Sequence, residues 1–300
     1  MDVLANKKRN IKCSNCGKKG HSHRKCEEPI ISLGLAAVKR DPVDGKIKYL
    51  LIQRKNSIGF IEIVKGRTSG DPEIMDKLFR DLTYYERECL MTKNFSFLWK
   101  MACGYGHHLN RHNFEPAKAK FRNLYNSTLL QMHAEVPEFS EATEWSFPKG
   151  KRKKASESDL DTAKREFTEE TNYEESDYVL LDDVEPVVED MVGMDGRLYR
   201  YIYYMAIMRT KKLPYIDPKN PHQIGEIGNI GWFSFEEACE KVRMKHPRRE
   251  ETIAKIKEHI DNGELGKYLE IPIAQLNPFS ILEELEDGGR CISSDESVQN

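Results

Sequence analysis

Three glutamates, Glu166, Glu169 and Glu170, are spaced so that a single helix would present all three carboxylates on one face. Charges at i, i+3 and i+4 are neighbours on a helix surface and repel one another when they are unpaired. A hard divalent cation such as Mg²⁺ or Mn²⁺ removes that repulsion, because it takes oxygen ligands and keeps positions open for water and phosphate. The pattern therefore indicates metal-assisted chemistry on a phosphate; the other interpretation is a solvated acidic helix face.

The residues around these glutamates stand at fixed offsets. Glu157 is followed by seven residues and then by Arg165 and Glu166, and apolar Phe167 comes directly after them. This stretch resembles the Nudix box, G-x5-E-x7-R-E-U-x-E-E-x-G-U, in which U is an apolar residue. Agreement at so many offsets outweighs the interpretation as a solvated helix face.

The length of one loop and the residues at two positions depart from the box. Six residues separate Gly150 from Glu157, where the box has five. Asn172 stands in place of the later glycine, and asparagine is the next-best residue for a left-handed helix exit. Tyr173 then follows where the box has an apolar residue. Gly150 therefore stands at a different offset from the box, whereas the glutamates match it.

The resemblance implies an α+β Nudix fold, in which a mixed β-sheet lies between α-helices. It also implies that four residues hold Mg²⁺ or Mn²⁺, one through its backbone carbonyl and three through carboxylates: Gly150, Glu166, Glu169 and Glu170. The reaction would be hydrolysis of a nucleoside diphosphate linked to another group. Bound metals polarise phosphoryl oxygens and lower the pKa of an attacking water in such reactions.

Further roles follow from the same resemblance. Arg165 and Glu157 would orient the metal ligands, so Arg165 joins Glu169 as a candidate catalytic residue. Lys149 and Lys151 flank Gly150 and are candidates for binding substrate phosphates. For the two lysines, an interpretation as solubilising loop residues stands equally.

The segment Gly225 to Phe233 indicates which group of Nudix enzymes the sequence resembles. Glu226 precedes an apolar stretch that ends in the aromatic pair Trp232 and Phe233. This arrangement resembles the segment after the box in mRNA-decapping Nudix enzymes, which makes Glu226 the candidate general base. The alternative is a loop carboxylate at a strand edge.

The order of elements from about residue 30 to 262 resembles the decapping-type Nudix hydrolases of large cytoplasmic DNA viruses. These elements are an early strand pair, the turn Gln53 to Ser57, a helical insert, and Trp145 to Gly150. The resemblance implies cleavage of the mRNA 5′ cap, releasing methylated GDP and RNA with a 5′ monophosphate. Capped RNA would be the partner, with diphosphoinositol polyphosphates or nucleotides as alternative substrates. An RNA-binding protein with an inactive Nudix domain is the alternative from another class.

A second metal site is indicated near the N-terminus. Cys13, Cys16, His21 and Cys26 have the spacing C-x2-C-x4-H-x4-C, which suits a closed tetrahedral Zn²⁺ site of three thiolates and one imidazole. Such a site folds a segment too short to bury a core. The segment resembles the retroviral-type zinc knuckle, a module for single-stranded nucleic acid.

Ser14 stands where knuckles usually carry an aromatic residue for stacking on a base. Electrostatic contacts with RNA therefore remain as the expected binding mode, from five cations: Lys12, Lys18, Lys19, Arg24 and Lys25. A purely structural or protein-binding zinc site is the alternative. In the helical insert, a second set of basic residues could follow an RNA backbone or simply face solvent: Arg111, His112, Lys118, Lys120 and Arg122.

Hydrophobic patterns predict the elements that position these residues. A hairpin is predicted from Ile31–Val38 and Tyr49–Ile52, and a helix from Asp71 to about Leu90. Further helices are predicted at Phe95–Ala102, Pro116–His133, Leu160–Thr171, Phe235–Val242 and Pro247–Ile260. Further strands are predicted at Trp145–Pro148, Tyr178–Val188, Leu198–Met208 and Ile227–Phe233.

The 300 residues carry a net charge of −2 that hides an asymmetry between the ends. Eight Lys or Arg precede Glu27, whereas six acids follow residue 282. We expect a basic zinc knuckle over residues 1–28, a Nudix domain over 29–285 with an insert at about 70–140, and a disordered acidic tail over 286–300. The apolar runs are strand-sized and no signal peptide precedes them, which predicts an intracellular protein without a membrane span. The resemblance to the viral enzymes implies the host cytoplasm. The oligomeric state stays open.

Overall fold

The computed structural model describes residues 11–68, 70–104, 111–243 and 249–263, together with Leu265 and Leu269; of Arg111 and His112 it describes the backbone. The predicted acidic tail, 286–300, lies outside these residues. Within the described ranges, no helix combines the length and the apolar character that crossing a membrane requires.

One mixed β-sheet forms the centre of the described chain. Its two long strands, β1 (Ile30–Arg40) and β7 (Leu198–Met208), are parallel neighbours. β2 (Ile47–Arg54) pairs antiparallel with both β1 and β8 (Ile227–Phe233). The other strands also pair antiparallel with these: β3 (Trp145–Ser146), β4 (Lys149–Gly150), β5 (Tyr178–Leu180) and β6 (Val187–Val192).

Helices cover both faces of this sheet, because alternate strand residues point to opposite sides. On one face, Phe167 of α7 (Asp159–Thr171) packs into an apolar layer formed with β1, β2 and β7. On the other face, a second layer includes residues of α9 (Phe235–Arg243) and α10 (Glu250–Asp261). A short helix, α8 (Pro221–Glu226), leads into β8. The predicted α+β fold, a mixed sheet between helices, is confirmed.

A separate helical block lies between β2 and β3 in the chain and has its own apolar core, which includes Phe60, Phe79, Leu90 and Leu98. It begins at Ile58, before the position near 70 that the sequence indicated. Its helices are α1 (Ile58–Val64), α2 (Pro72–Asp81), α3 (Tyr84–Thr92), α4 (Phe95–Cys103), α5 (Arg111–Leu124) and, after a π-helical turn, α6 (Leu130–Glu135).

Three predicted elements differ from the structure. The single helix predicted from Asp71 to about Leu90 is two helices, because Thr83 and Glu86 form a capping box that starts a new helix. Pro116 lies inside α5 instead of starting it. The predicted strand over residues 178–188 is divided into β5 and β6.

The N-terminal segment, residues 11–29, is built from tight turns. The amide of Gly17 donates to the carbonyl of Cys13 at 2.9 Å, and Gly20 donates to Ile11 at 2.8 Å. Gly17 and Gly20 have φ values of 74° and 104°, which favour glycine. These reversals bring the four predicted zinc ligands together.

Candidate active site

Helix α7 displays the glutamates because its opposite face is apolar. Ser158 caps its start, accepting a hydrogen bond from the amide of Asp161 at 3.0 Å. Ala163 and Phe167 are fully buried against the sheet. The helix ends at Asn172, whose φ of 60° is the left-handed exit that the sequence predicts for this position. Tyr173 takes the apolar position after it, since it is buried and stacks on Phe167.

Gly150 and Glu166 lie in direct contact. β4 pairs Gly150 with Leu33 of β1, which holds the glycine against α7. A Cβ at position 150 would stand 2.1 Å from Cδ of Glu166 and 2.2 Å from its Oε2. Only glycine therefore leaves room for this carboxylate beside the backbone of residue 150.

Glu170 is buried and accepts a hydrogen bond from the amide of Lys149 at 2.8 Å. Burial raises the pKa of Glu170 to about 8; the Lys149 ammonium opposes this shift, while the Glu166 and Glu226 carboxylates add to it. Burial also raises the pKa of Glu166, and repulsion from Glu169 and Glu226 contributes. The carboxylates of Glu169 and Glu226 are thus near enough to disfavour the charge of Glu166, and those of Glu166 and Glu226 to disfavour the charge of Glu170.

Arg165 links the loop after Gly150 to the helix. Its Nε donates to Glu157 at 2.7 Å, the pairing that the spacing predicts, and its Nη1 donates to Glu166 at 2.7 Å and to Glu169 at 3.2 Å. Although burial opposes the shift, these hydrogen bonds raise the pKa of Arg165. Lys153 forms a second ion pair with Glu169. The positive charges of Arg165 and Lys153 therefore both act on Glu169.

Glu226 reaches this cluster because α8 is fastened to the end of α7. Asn220 Nδ2 donates to the Glu169 carbonyl at 3.0 Å, and Gln223 Nε2 donates to the Glu170 carbonyl at 2.9 Å. Gln223 Oε1 in turn accepts from Asn172 Nδ2. Asn220 and Gln223 were not predicted from sequence; Asn220 followed by Pro221 is a helix start that the sequence did contain.

The two candidate lysines are placed differently. The ammonium of Lys149 donates to Ser146 Oγ at 2.9 Å and lies 4.7 Å from the centre of the Tyr201 ring, on the face of the sheet opposite α7. The side chain of Lys151 is exposed. Desolvation by neighbouring atoms, followed by the Arg67 guanidinium, lowers the pKa of Lys151. The structure therefore separates Lys149 from Lys151, and Lys151 is the one that lies among other surface cations.

The residues around Glu166 fit a hard divalent cation. Glu166 is half-buried and Glu170 is buried, and the pKa values of both are raised. The surrounding protein therefore does not fully balance their negative charge, and a divalent cation would balance it. The glutamate oxygens do not form a preassembled cage: in the described ranges, the ligand group whose atoms all lie within 4.8 Å of one another is the Cys/His set. A divalent ion bound at Glu169 would compete with Lys153 and Arg165.

That Cys/His set is composed of Cys13, Cys16, His21 and Cys26, as the spacing predicts, and it has the composition of a closed metal site. Although burial opposes the shift, hydrogen bonds from Asn15 and His21 lower the pKa of Cys26 to about 6. The thiolate, which is the metal-binding form, is thereby favoured. These four side chains can hold a metal ion together.

The family model of the NUDIX domain matches residues 123–256, which include α7 and Glu226. These residues therefore match a NUDIX domain, as the box predicts.

Two similar proteins come from viruses. A protein of Acanthamoeba polyphaga mimivirus that is named for mRNA decapping is 26% identical over 355 residues, covering 85% of this chain and 96% of that protein. The mRNA-decapping protein g5R of African swine fever virus (isolate Pig/Kenya/KEN-50/1950) is 26% identical over 218 residues, covering 68% and 85%. Among solved structures, a C. elegans Ap4A hydrolase binary complex matches at 14% identity with a TM-score of 0.40, over 77% of this chain and 98% of that one.

Proposed function

We propose that this chain is a Mg²⁺- or Mn²⁺-dependent Nudix hydrolase that cleaves the pyrophosphate of the mRNA 5′ cap, releasing methylated GDP and RNA with a 5′ monophosphate. The observation that carries the proposal is the group of carboxylates that α7 and α8 bring together beside Gly150. The names of the two viral relatives support the decapping assignment.

The metal would be held by the Gly150 carbonyl and by the carboxylates of Glu166, Glu169 and Glu170. When bound, it polarises phosphoryl oxygens and makes an attacking water more acidic. Arg165 keeps Glu166 and Glu169 oriented through its two hydrogen bonds to them.

Glu226 is the proposed general base. Its carboxylate is exposed, so water and substrate can reach it, and it is near enough to Glu166 and Glu170 to affect their pKa values. Its backbone carbonyl accepts from the amide of Lys55 at 2.8 Å, which fixes the residue to the loop after β2. A general base must lie within reach of the attacking water, and this placement supports Glu226 for that role.

Cations at the edge of the carboxylate cluster suit a polyanionic substrate. The charge of Lys65 interacts with Arg67 and with Glu226, and the charge of Lys151 interacts with Arg67 and Arg54. Burial is the main cause that lowers the pKa of Lys65, and the like charge of Arg67 adds to it. Phosphate oxygens would relieve the repulsion among these cations while the metal neutralises the glutamates.

The helical block continues this basic surface. A cavity of about 300 Å³ lies beside α1, α4 and α5, and its lining includes Lys65, Arg67, Lys120 and Trp99. Three cations and an indole ring match an RNA segment, since cations bind the backbone and an aromatic face stacks on a base. The cavity shares Lys65 with the surroundings of Glu226, so RNA held there would run toward the site of cleavage.

The zinc knuckle is proposed to hold RNA electrostatically. Its five candidate cations, Lys12, Lys18, Lys19, Arg24 and Lys25, are all exposed. Lys18 also pairs with Glu28. Zn²⁺ bound by Cys13, Cys16, His21 and Cys26 would have a structural role, because all four positions of a tetrahedral ion are filled by protein.

The test is to incubate the purified chain with cap-labelled RNA in the presence of Mg²⁺ or Mn²⁺ and to identify the labelled product by chromatography. The proposal expects labelled methylated GDP, together with an RNA that a 5′-monophosphate-dependent exonuclease can degrade. Turnover of a diphosphoinositol polyphosphate without release of methylated GDP would reject decapping in favour of the alternative hydrolase. RNA binding with neither activity would reject the enzyme assignment.

A further inference from the structure

We propose that the zinc knuckle positions the metal-binding loop of the active site, and that Arg152 is the positioning residue that transmits this support. The inference rests on the proposed function, because it concerns the rate of that same site. It assigns the Cys/His site a second role beside RNA binding, one that would affect substrates too small to touch the knuckle.

Arg152 lies in the loop between Gly150 and Glu157, and its side chain is only 3% exposed. Its Nη1 donates to the backbone carbonyl of Asn15 in the knuckle, and its Nη2 donates to Asp159 at the start of α7. One guanidinium thus joins three parts of the chain: the knuckle, the loop and the carboxylate helix. A buried guanidinium needs such partners, because leaving a buried charge unpaired is costly.

Asn15 connects this arginine to the thiols. It lies between Cys13 and Cys16 in sequence, and its amide donates to Cys13 Sγ at 3.3 Å while its Nδ2 donates to Cys26 Sγ at 3.3 Å. Its Oδ1 accepts from the amide of Ile31 in β1 at 2.9 Å. The carbonyl that Arg152 uses therefore belongs to a residue whose position depends on both the thiol cluster and the central sheet.

Gly17 lies beside the guanidinium of Arg152. A Cβ at Gly17 would stand 3.8 Å from Arg152 Nη2, an ordinary contact distance. The guanidinium therefore lies next to the turn that follows Cys16, in addition to its hydrogen bond to Asn15. Removal of a bound metal from the thiols would loosen this turn and the Asn15 carbonyl together.

The same loop is also held by contacts with α7. Arg165 Nη2 donates to the Lys151 carbonyl at 2.9 Å, and the amide of Lys153 donates to Glu157 at 2.8 Å. Lys151 is therefore fixed to α7 directly, and Lys153 is fixed to it through Glu157, which pairs with Arg165. Arg152, between them, is the residue that reaches the knuckle. The loop is also one residue longer than the Nudix box allows, and this extra length accompanies the contact with the knuckle.

Loss of the contact with the knuckle would affect both ends of the loop, where the Gly150 carbonyl and the Arg165–Glu157 pair lie. If the knuckle support is lost, both ends gain freedom while the glutamates on α7 remain in place. A displacement of about 1 Å in a catalytic group can cost about 10²-fold in rate. We therefore expect the zinc site to affect the turnover of small substrates.

The experiment uses the full chain and a methylated cap dinucleotide, which has no RNA tail to reach the knuckle. Arg152→Ala is compared with wild type, with the conservative variant Arg152→Lys, and with Lys154→Ala, which removes an exposed cation from the same loop. Three quantities are measured: kcat, zinc content, and hydrogen exchange of amides 149–158.

For Arg152→Ala we expect kcat to fall about 10²-fold, exchange in the loop to accelerate, and zinc content to remain at wild-type level. Arg152→Lys should recover part of the rate, and Lys154→Ala should match wild type. Cys16→Ser, or chelation of zinc from the wild-type chain, should reproduce the exchange change if the knuckle is the source of support. Wild-type kcat and wild-type exchange in folded Arg152→Ala would overturn the inference.

Failure of the proposed function gives a different result. If wild type does not hydrolyse the cap dinucleotide, but loop exchange still accelerates in Arg152→Ala and after zinc chelation, the coupling stands and decapping is rejected. If wild type hydrolyses it and zinc chelation changes neither kcat nor exchange, decapping stands and the coupling is rejected.

Discussion

Replacing Gly150 by alanine should separate activity from folding. The new Cβ would lie 2.1 Å from Cδ of Glu166, whereas carbon atoms pack best at about 3.5 Å or more. The Glu166 carboxylate must therefore move by about 1.4 Å, given that optimum contact distance. A shift of that size in a group proposed to hold the metal should lower kcat by about 10²-fold.

The fold should survive this change. The obstructing atoms are the far end of a flexible side chain, and φ at Gly150 lies outside the left-handed region, so alanine is acceptable to the backbone. The free energy of unfolding should change by less than about 1 kcal/mol. By contrast, a Cβ at Gly34 would stand 2.0 Å from the Pro148 carbonyl oxygen, so Gly34→Ala should prevent folding.

The assay is release of methylated GDP from a cap dinucleotide, followed with thermal unfolding of the same samples. Gly225→Ala is the matched control, because its Cβ would meet Gly104 at an ordinary 3.7 Å and it lies beside the other candidate residue, Glu226. We expect wild-type kcat for Gly225→Ala and the loss for Gly150→Ala. A folded Gly150→Ala protein with wild-type kcat would refute the assignment of Gly150 and Glu166 to the reaction.

Three other predictions test separate parts of the site and fold. Glu169→Gln should reduce kcat by about 10²-fold or more with an unchanged melting curve, since Lys153 is exposed and Arg165 keeps its hydrogen bonds to Glu157 and Glu166; unfolding of this variant would contradict the site. Glu226→Gln should reduce kcat by about 10²–10⁴-fold while Mn²⁺ affinity stays within a factor of a few, and loss of Mn²⁺ binding would make it a ligand instead of a base. Arg249→Met should lower the free energy of unfolding, measured with denaturant, by about 3–5 kcal/mol, because it removes the buried guanidinium that pairs with Glu144 and Glu189. The exposed control Arg243→Ala should cost less than about 1 kcal/mol, and equal losses would refute the burial argument.

The parts of the site that follow from local periodicity could be predicted from sequence. Helical spacing placed Glu166, Glu169 and Glu170 together, and the chemistry of asparagine explained the left-handed exit at Asn172. The pairing of Arg165 with Glu157 also followed from their spacing. Each of these depends on residues that are close in the chain.

The parts that depend on long-range packing could not be predicted. The direction of the Lys149 side chain is set by the pairing of β4 with β1, which turns alternate residues to opposite faces. The role of Arg152 depends on a segment far away in sequence, at Asn15. Gln223 binds the Glu170 carbonyl through a fold-dependent approach of α8 to α7. No local pattern marks these residues.

Two elements that differ from the prediction have a recognisable signal in the sequence. The helix break before α3 has a visible signal, Thr83 followed three residues later by Glu86, which form a capping box. The helix α1 also has a sequence signal, because Ser57 accepts the capping hydrogen bond from Phe60 at 3.0 Å. Its seven residues are too few to show a clear apolar period.

The most direct test of the account is a Mn²⁺ titration followed by electron paramagnetic resonance, with wild type compared to Glu166→Gln and Glu170→Gln. Wild type should bind Mn²⁺, and each variant should bind it at least about tenfold more weakly, which corresponds to a lost binding energy of about 1.4 kcal/mol. The melting curves should be unchanged. Equal Mn²⁺ binding by all three folded proteins would contradict the claim that these carboxylates hold the metal.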